Sequence, residues 1–145
     1  MKLNPSRVRR GLTLIELIVV LIVIGLLAGL VAPQILGRVS DAKITTAKTQ
    51  IELLGVALES YRLDNGVYPS SQQGLEALRT RPSGTPDARN WRGPYLRKAV
   101  PMDPWGKAYL YKSPGVKDRA GFDLMTMGRD GQVGGSGEDA DLTSG

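Results

Sequence analysis

One stretch restricts this chain more than any other. Leu12 to Ala32 is a run of 21 residues with a single charged side chain, Glu16, and it ends against Pro33. A helix crosses a bilayer core with roughly 20 apolar residues, so the run predicts a membrane-crossing helix over 12–33. A carboxylate in such a span costs on the order of 2.5–3.5 kcal/mol at its centre and less near an end. An acid kept there needs a partner, and no Lys, Arg or His lies between Leu12 and Ala32. The choices are headgroup water, a second protein, or a positive charge created by processing. A cut between Gly11 and Leu12 would free an α-amino group four residues before Glu16, one helical turn away. Gly11 is small enough for a peptidase pocket, and Arg9-Arg10 would hold the preceding residues in the cytoplasm. A removable secretory signal fits poorly, because the run is too long and no A-x-A-like site follows it. An ordinary anchor is the plainer alternative. A buried core helix is the weakest, since 145 residues offer little core to surround it.

Charge and composition narrow the function classes. The formal net charge is +5, but Lys2, Arg7, Arg9 and Arg10 supply four of it. Without residues 1–11 the chain carries 15 basic and 14 acidic side chains, a net +1. The early basic cluster reads as a positive-inside signal, with the N-terminus cytoplasmic and the remainder across the membrane. Nucleic acid is not an expected partner, because binding it needs a concentrated basic face. The chain has no Cys and no His. Disulfides, thiolate nucleophiles, Ser-His-Asp arrangements and most zinc sites are therefore excluded. No enzyme is expected.

Past Pro33 the pattern becomes amphipathic. Ile44, Ala47, Ile51, Leu54, Leu58 and Tyr61 step by three and four, the stripe of one helix face. Asp64-Asn65-Gly66 closes the helix, with Gly66 suited to a left-handed cap. The stripe must be covered by the downstream chain, or by a coiled-coil partner. Within the apolar run, Gly25 and Gly29 are spaced as G-x-x-x-G, a small-residue packing face, and Pro33 should kink or loosen the preceding turn. Ser71 to Leu78 reads as a short helix with Leu75 and Leu78 inward, while Trp91 and Trp105 read as seals on loops. Ala108–Lys112 and Phe122–Thr126 alternate like strands, with Ser113–Gly121 as the hairpin loop between them.

The C-terminal end differs from the rest. From Phe122 to Gly145 five acids, Asp123, Asp130, Glu138, Asp139 and Asp141, face one base, Arg129, in a glycine-rich setting. Hard cations take six to eight oxygens from carboxylates and carbonyls. The EF-hand pattern is absent, and Gly128, Gly131 and Gly134 lack the Lys-Ser/Thr of a phosphate loop. On the residues alone, a solvated flexible tail and a cation loop both stand.

Gly11-Leu12-Thr13-Leu14-Ile15-Glu16, followed by the unbroken apolar run, resembles the class III signal of type IV pilins and pseudopilins. Tyr68-Pro69, Gln73–Leu78, Trp91 with Gly93–Leu96, Asp103–Gly106 and Tyr111–Gly115 extend the likeness along nearly the whole chain. Together they resemble the major pseudopilins of type II secretion systems. One departure is Leu12, where that family usually has Phe. The resemblance implies a type IV pilin-like α+β fold, its long N-terminal helix packed on a small antiparallel sheet, with a C-terminal loop. It implies a leader over 1–11, an apolar assembly helix over 12–33, and a soluble domain over 34–145 with its helix at 34–65. Cleavage would follow Gly11, and a prepilin peptidase/N-methyltransferase would methylate Leu12. Glu16 would set subunit register by meeting the Leu12 amine of a neighbouring copy. A Ca²⁺ loop over 127–141 is also implied, with Asp130 and Asp139 as side-chain ligands. Asp141 and the carbonyl of Met127 would add to these, and Glu138 would stay in solvent. The implied function is structural: a homo-oligomeric filament anchored in the bacterial inner membrane, with its soluble part periplasmic. It would work with minor pseudopilins and an inner-membrane assembly platform. A type IV pilin for attachment, motility or DNA uptake is the nearest alternative, disfavoured by the lack of a cysteine pair. A membrane-tethered binding module is the alternative from another class.

Overall fold

The computed structural model describes residues 11–116 and 118–144, with the side chains of 31–36 left out. The expected leader therefore lies almost wholly outside the described residues. The chain divides into two compact units, Met1–Arg38 and Val39–Gly145, and the boundary falls inside a single helix. That helix, α1, spans Leu14–Asn65. It begins at Thr13, whose hydroxyl accepts the Glu16 N–H at 3.3 Å. It ends at Gly66, where φ is 81° and the N–H reaches the Arg62 carbonyl at 2.7 Å. A left-handed residue there is what glycine supplies without a Cβ clash. The backbone stays helical through 31–36, so the anticipated loosening before Pro33 does not interrupt the assigned helix.

In the first unit the apolar side chains face outward. Leu14 is 78% exposed, and Leu26 and Leu30 are nearly as open. Among the described residues a Cβ added at Gly25 or Gly29 would meet nothing within 4 Å, so no described part of the chain covers the G-x-x-x-G face. Among the described residues no helix is long and apolar enough to cross a membrane. The apolar run enters the helix at 14, and its side chains are described only to 30, seventeen residues.

The second unit holds the core. Ala47, Ile51, Leu54, Leu58 and Tyr61 are buried as the stripe requires, and Ile44 is half-buried. Ile51, Leu54, Leu58 and Tyr61 pack with Leu75, Ala77 and Leu78 of a 3₁₀ turn, and with Tyr109 and Leu124. Each large side chain so buried contributes about 1.5–3 kcal/mol, and the stripe is consumed within the domain. Three short strands complete it: β1 Leu110–Lys112, β2 Asp123–Thr126 and β3 Leu142–Thr143. They form an antiparallel sheet in the order β1-β2-β3, with Leu110 opposite Met125 and Met125 opposite Thr143. The expected strands are present but shorter, and the segment at 71–78 is a turn running into 3₁₀ rather than α-helix. Asp103 locks the preceding loop. Its buried carboxylate accepts the N–H groups of Trp105 at 3.0 Å and Lys107 at 2.8 Å, and the Thr126 hydroxyl on the other oxygen. A buried acid is tolerable only when satisfied in this way.

Candidate functional site

Two candidate sites stand apart in the chain. The first is the start of α1. Gly11 and Leu12 precede the helix and are exposed. Thr13-Leu14-Ile15-Glu16 is a capping-box pattern, in which a Thr side chain caps the third helical N–H and the acid stands at that position. Thr13 makes the expected bond, and Glu16 lies in the first turn, where the positive end of the helix dipole favours a carboxylate. Thr13 is a functional candidate that the sequence reading passed over, although the T-x-x-E spacing announces it. Among the described residues Glu16 has no salt-bridge partner.

The second site is the C-terminal loop. It is folded, not a loose tail. The Gly131 N–H donates to the Met127 carbonyl at 3.1 Å, the Arg129 N–H to the Glu138 carbonyl at 2.8 Å, and the Asp139 N–H to Ser136 at 3.1 Å. Two glycines have no substitute. Gly128 has φ 60° and Gly135 φ 85°, and a Cβ at either would fall 2.5 Å and 2.4 Å from the carbonyl oxygens of Glu138 and Asp139. Lys107 tethers the loop to the strand side, its ammonium donating to the carbonyls of Gly128 at 3.3 Å and Arg129 at 2.8 Å.

The acids of this loop are held in different ways. Asp130 accepts the Gln132 N–H at 3.0 Å and is otherwise open to water. Asp141 accepts the Gly134 N–H at 2.9 Å on one oxygen, while its other oxygen is buried without a partner among the described residues. Asp139 is fully engaged: Arg129 Nε and Nη2 each reach one of its oxygens at 2.9 Å. That pairing holds the Arg129 guanidinium above its ordinary pKa. Among the described residues no three acidic side chains converge on one point. Asp130 and Asp141 thus each keep one carboxylate oxygen without a hydrogen-bond partner among the described residues, whereas both oxygens of Asp139 accept from Arg129.

Glu138 corrects the sequence expectation. It is not left in solvent: its side chain is only 15% exposed, it accepts the Trp105 indole N–H at 2.8 Å, and Lys43 approaches to 3.6 Å. The indole bond, the Ser40 hydroxyl and the nearby Lys43 and Arg129 charges hold its carboxyl below the usual range, against the opposing effect of burial. Trp105 therefore seals this loop, while Trp91 serves the core by donating to the Ala77 carbonyl at 2.9 Å.

The chain matches known families at both ends. Residues 34–145 match the family described as type II secretion system (T2SS), protein G. Residues 6–32 match the prokaryotic N-terminal methylation motif. Type II secretion system core protein G of Pseudomonas aeruginosa is 48% identical over 136 residues, covering 94% of each chain. The protein of the same description from Vibrio cholerae is 47% identical over 141 residues, covering 97% of this chain and 94% of its own. Among solved structures, the major pseudopilin of the type 2 secretion system of enterohaemorrhagic Escherichia coli superposes with a TM-score of 0.63 at 33% identity. It covers 75% of this chain and 91% of its own.

Proposed function

The chain belongs to the type II secretion system protein G family, and from that membership we propose how its two sites serve a pseudopilus. As a major pseudopilin it is a structural subunit of that filament and not an enzyme. Our reading is that residues 1–11 are a leader removed after Gly11, and that Leu12 is then methylated by a prepilin peptidase/N-methyltransferase. The 21-residue apolar run supports storage as a single-pass protein of the bacterial inner membrane, N-terminus cytoplasmic and residues 34–145 periplasmic. Minor pseudopilins and an inner-membrane assembly platform are the partners we propose beyond copies of this chain. One observation carries the reading: an outward-facing apolar segment at the start of α1 whose single carboxylate, Glu16, lies one helical turn after Leu12. The free amine of Leu12 on one copy and Glu16 on another would be drawn together in low dielectric, where an unmatched charge is costly.

We further propose that the 127–141 loop takes Ca²⁺ through Asp130, Asp141 and the Met127 carbonyl, with Asp139 joining when it is free. The half-used carboxylates of Asp130 and Asp141 support this. The processing part is tested by the intact mass of full-length protein extracted from membranes. The expected species begins at Leu12 and carries one added methyl group. A mass that retains Met1 to Gly11 would overturn it.

A further inference from the structure

We propose that the Asp103–Lys107 turn is a clasp that holds both halves of the C-terminal loop at once, by bonds the chain supplies itself. The turn is stiff before it touches the loop. The Asp103 N–H donates to the Lys107 carbonyl at 2.8 Å, and the Gly106 N–H to the Asp103 carbonyl at 2.9 Å. The buried Asp103 carboxylate takes the N–H groups of Trp105 and Lys107 on one oxygen and the Thr126 hydroxyl on the other. Thr126 is the last residue of β2, so the turn is fixed against the strand from which the loop departs.

Two side chains leave this turn and reach opposite halves of the loop. Lys107 donates to the carbonyls of Gly128 at 3.3 Å and Arg129 at 2.8 Å, and the Trp105 indole N–H donates to Glu138 at 2.8 Å. The halves are joined where these two hooks fall, by the Arg129 N–H on the Glu138 carbonyl at 2.8 Å. Turn, Arg129 and Glu138 therefore form a closed circuit of hydrogen bonds. Gly131 leaves the room that Lys107 needs, since a Cβ there would stand 2.6 Å from the ammonium. A glycine-rich segment has much backbone entropy to lose on ordering. Fixing it at two points from one rigid base leaves only the short span between them to close. Because the circuit shares its members, loss of either hook loosens the other. The clasp needs no ion, and it stands or falls apart from the calcium reading.

The test is amide hydrogen exchange, read by mass spectrometry, on the full chain in detergent micelles with chelator. Lys107→Met and Trp105→Phe each remove one hook while keeping the apolar stem or the aromatic ring. Each is expected to speed exchange across 128–139 about two- to tenfold, the net worth of a hydrogen bond. Residues 47–61 of α1 are expected to exchange as in the parent. The double variant should fall short of the product of the two single factors, because the first loss already slackens the second hook. Loop exchange at the parent rate in either single variant overturns the clasp. Equal acceleration across 47–61 also overturns it, since that marks a general loss of stability. A double variant that reaches the full product makes the hooks independent and overturns a single clasp as well. The response of the parent loop to added Ca²⁺, present or absent, bears on the calcium reading alone and leaves the rates in chelator untouched.

Discussion

The two ends of this chain handle their carboxylates in opposite ways. At the start of α1, Glu16 sits among outward-facing leucines, isoleucines and valines with no cation near it among the described residues. In the C-terminal loop, Asp139 has a guanidinium on both oxygens, and Glu138 has an indole N–H and an ammonium nearby. The loop meets most of its polar needs within its own chain, whereas Glu16 at the helix start pairs with no cation among the described residues. On the proposed role of Glu16, the contact that forms between copies is the one left open, and the contacts that shape each copy are closed internally.

The strongest way to break the contrast is at Glu16. Glu16→Leu is expected to abolish filament assembly while leaving leader removal and membrane insertion intact. Removing the charge lowers the cost of residing in lipid, so a protein that needed only an anchor would improve. The capping-box position of Glu16 offers a rival explanation, and Glu16→Gln separates the two. Glutamine serves as well as glutamate at that position but carries no charge to meet an amine. Loss of assembly in both variants, scored by electron microscopy of filaments, supports a charge between copies. Normal filaments from Glu16→Gln would reduce the acid to a helix cap.

A weaker effect sharpens the other side. Full-length protein in detergent is expected to melt higher in millimolar Ca²⁺ than in chelator. At 100 times the dissociation constant the gain is about 2.7 kcal/mol, or roughly 10 °C for a domain of this size. Asp141→Asn should remove most of that difference, since its buried free oxygen is the donor least used by the protein itself. Calorimetry showing no shift in the parent chain would leave the loop held by its own side chains alone.

What the sequence disclosed follows the same division. The α1 stripe from Ile44 to Tyr61 was legible because its partners recur every three or four residues, and its burial follows that period. Thr13 is legible too, through its T-x-x-E spacing to Glu16. The loop was not legible. Arg129 meets Asp139 only because Gly128, Gly131, Gly134, Gly135 and Gly137 all take positive φ and fold the segment back on itself. No period encodes that path. Strand β3 is two residues long and is defined by pairing with Met125 and Thr126, well upstream, so local alternation could not reveal it. The burial of Glu138 is hidden from local pattern for the same reason: its partner Trp105 lies 33 residues earlier.

The smallest expected effect is the dependence of this internal closure on pH, through Glu138. Its carboxyl is held below the ordinary range first by the Trp105 indole bond, then by Ser40, Lys43 and Arg129, with burial working against them. A group whose folded pKa is depressed adds stability above its unfolded pKa and loses it as pH falls through the folded value. The contribution is therefore complete at neutral pH and fades only below the normal glutamate range of about 4. Glu138→Gln keeps an acceptor for Trp105 but has no proton to gain. The parent chain is expected to melt slightly higher than Glu138→Gln at pH 7, by less than the calcium shift, and the two curves should draw together as pH falls below the ordinary glutamate range. Melting temperatures in chelator across that range make the comparison, because the metal term is then absent from both proteins. A difference that persists unchanged at the acid end would show that Glu138 acts by shape and packing against Trp105 and not by charge. Glu138 would then close the loop by fit, and the Arg129–Asp139 pair and the Lys107 ammonium would remain as its charged contacts.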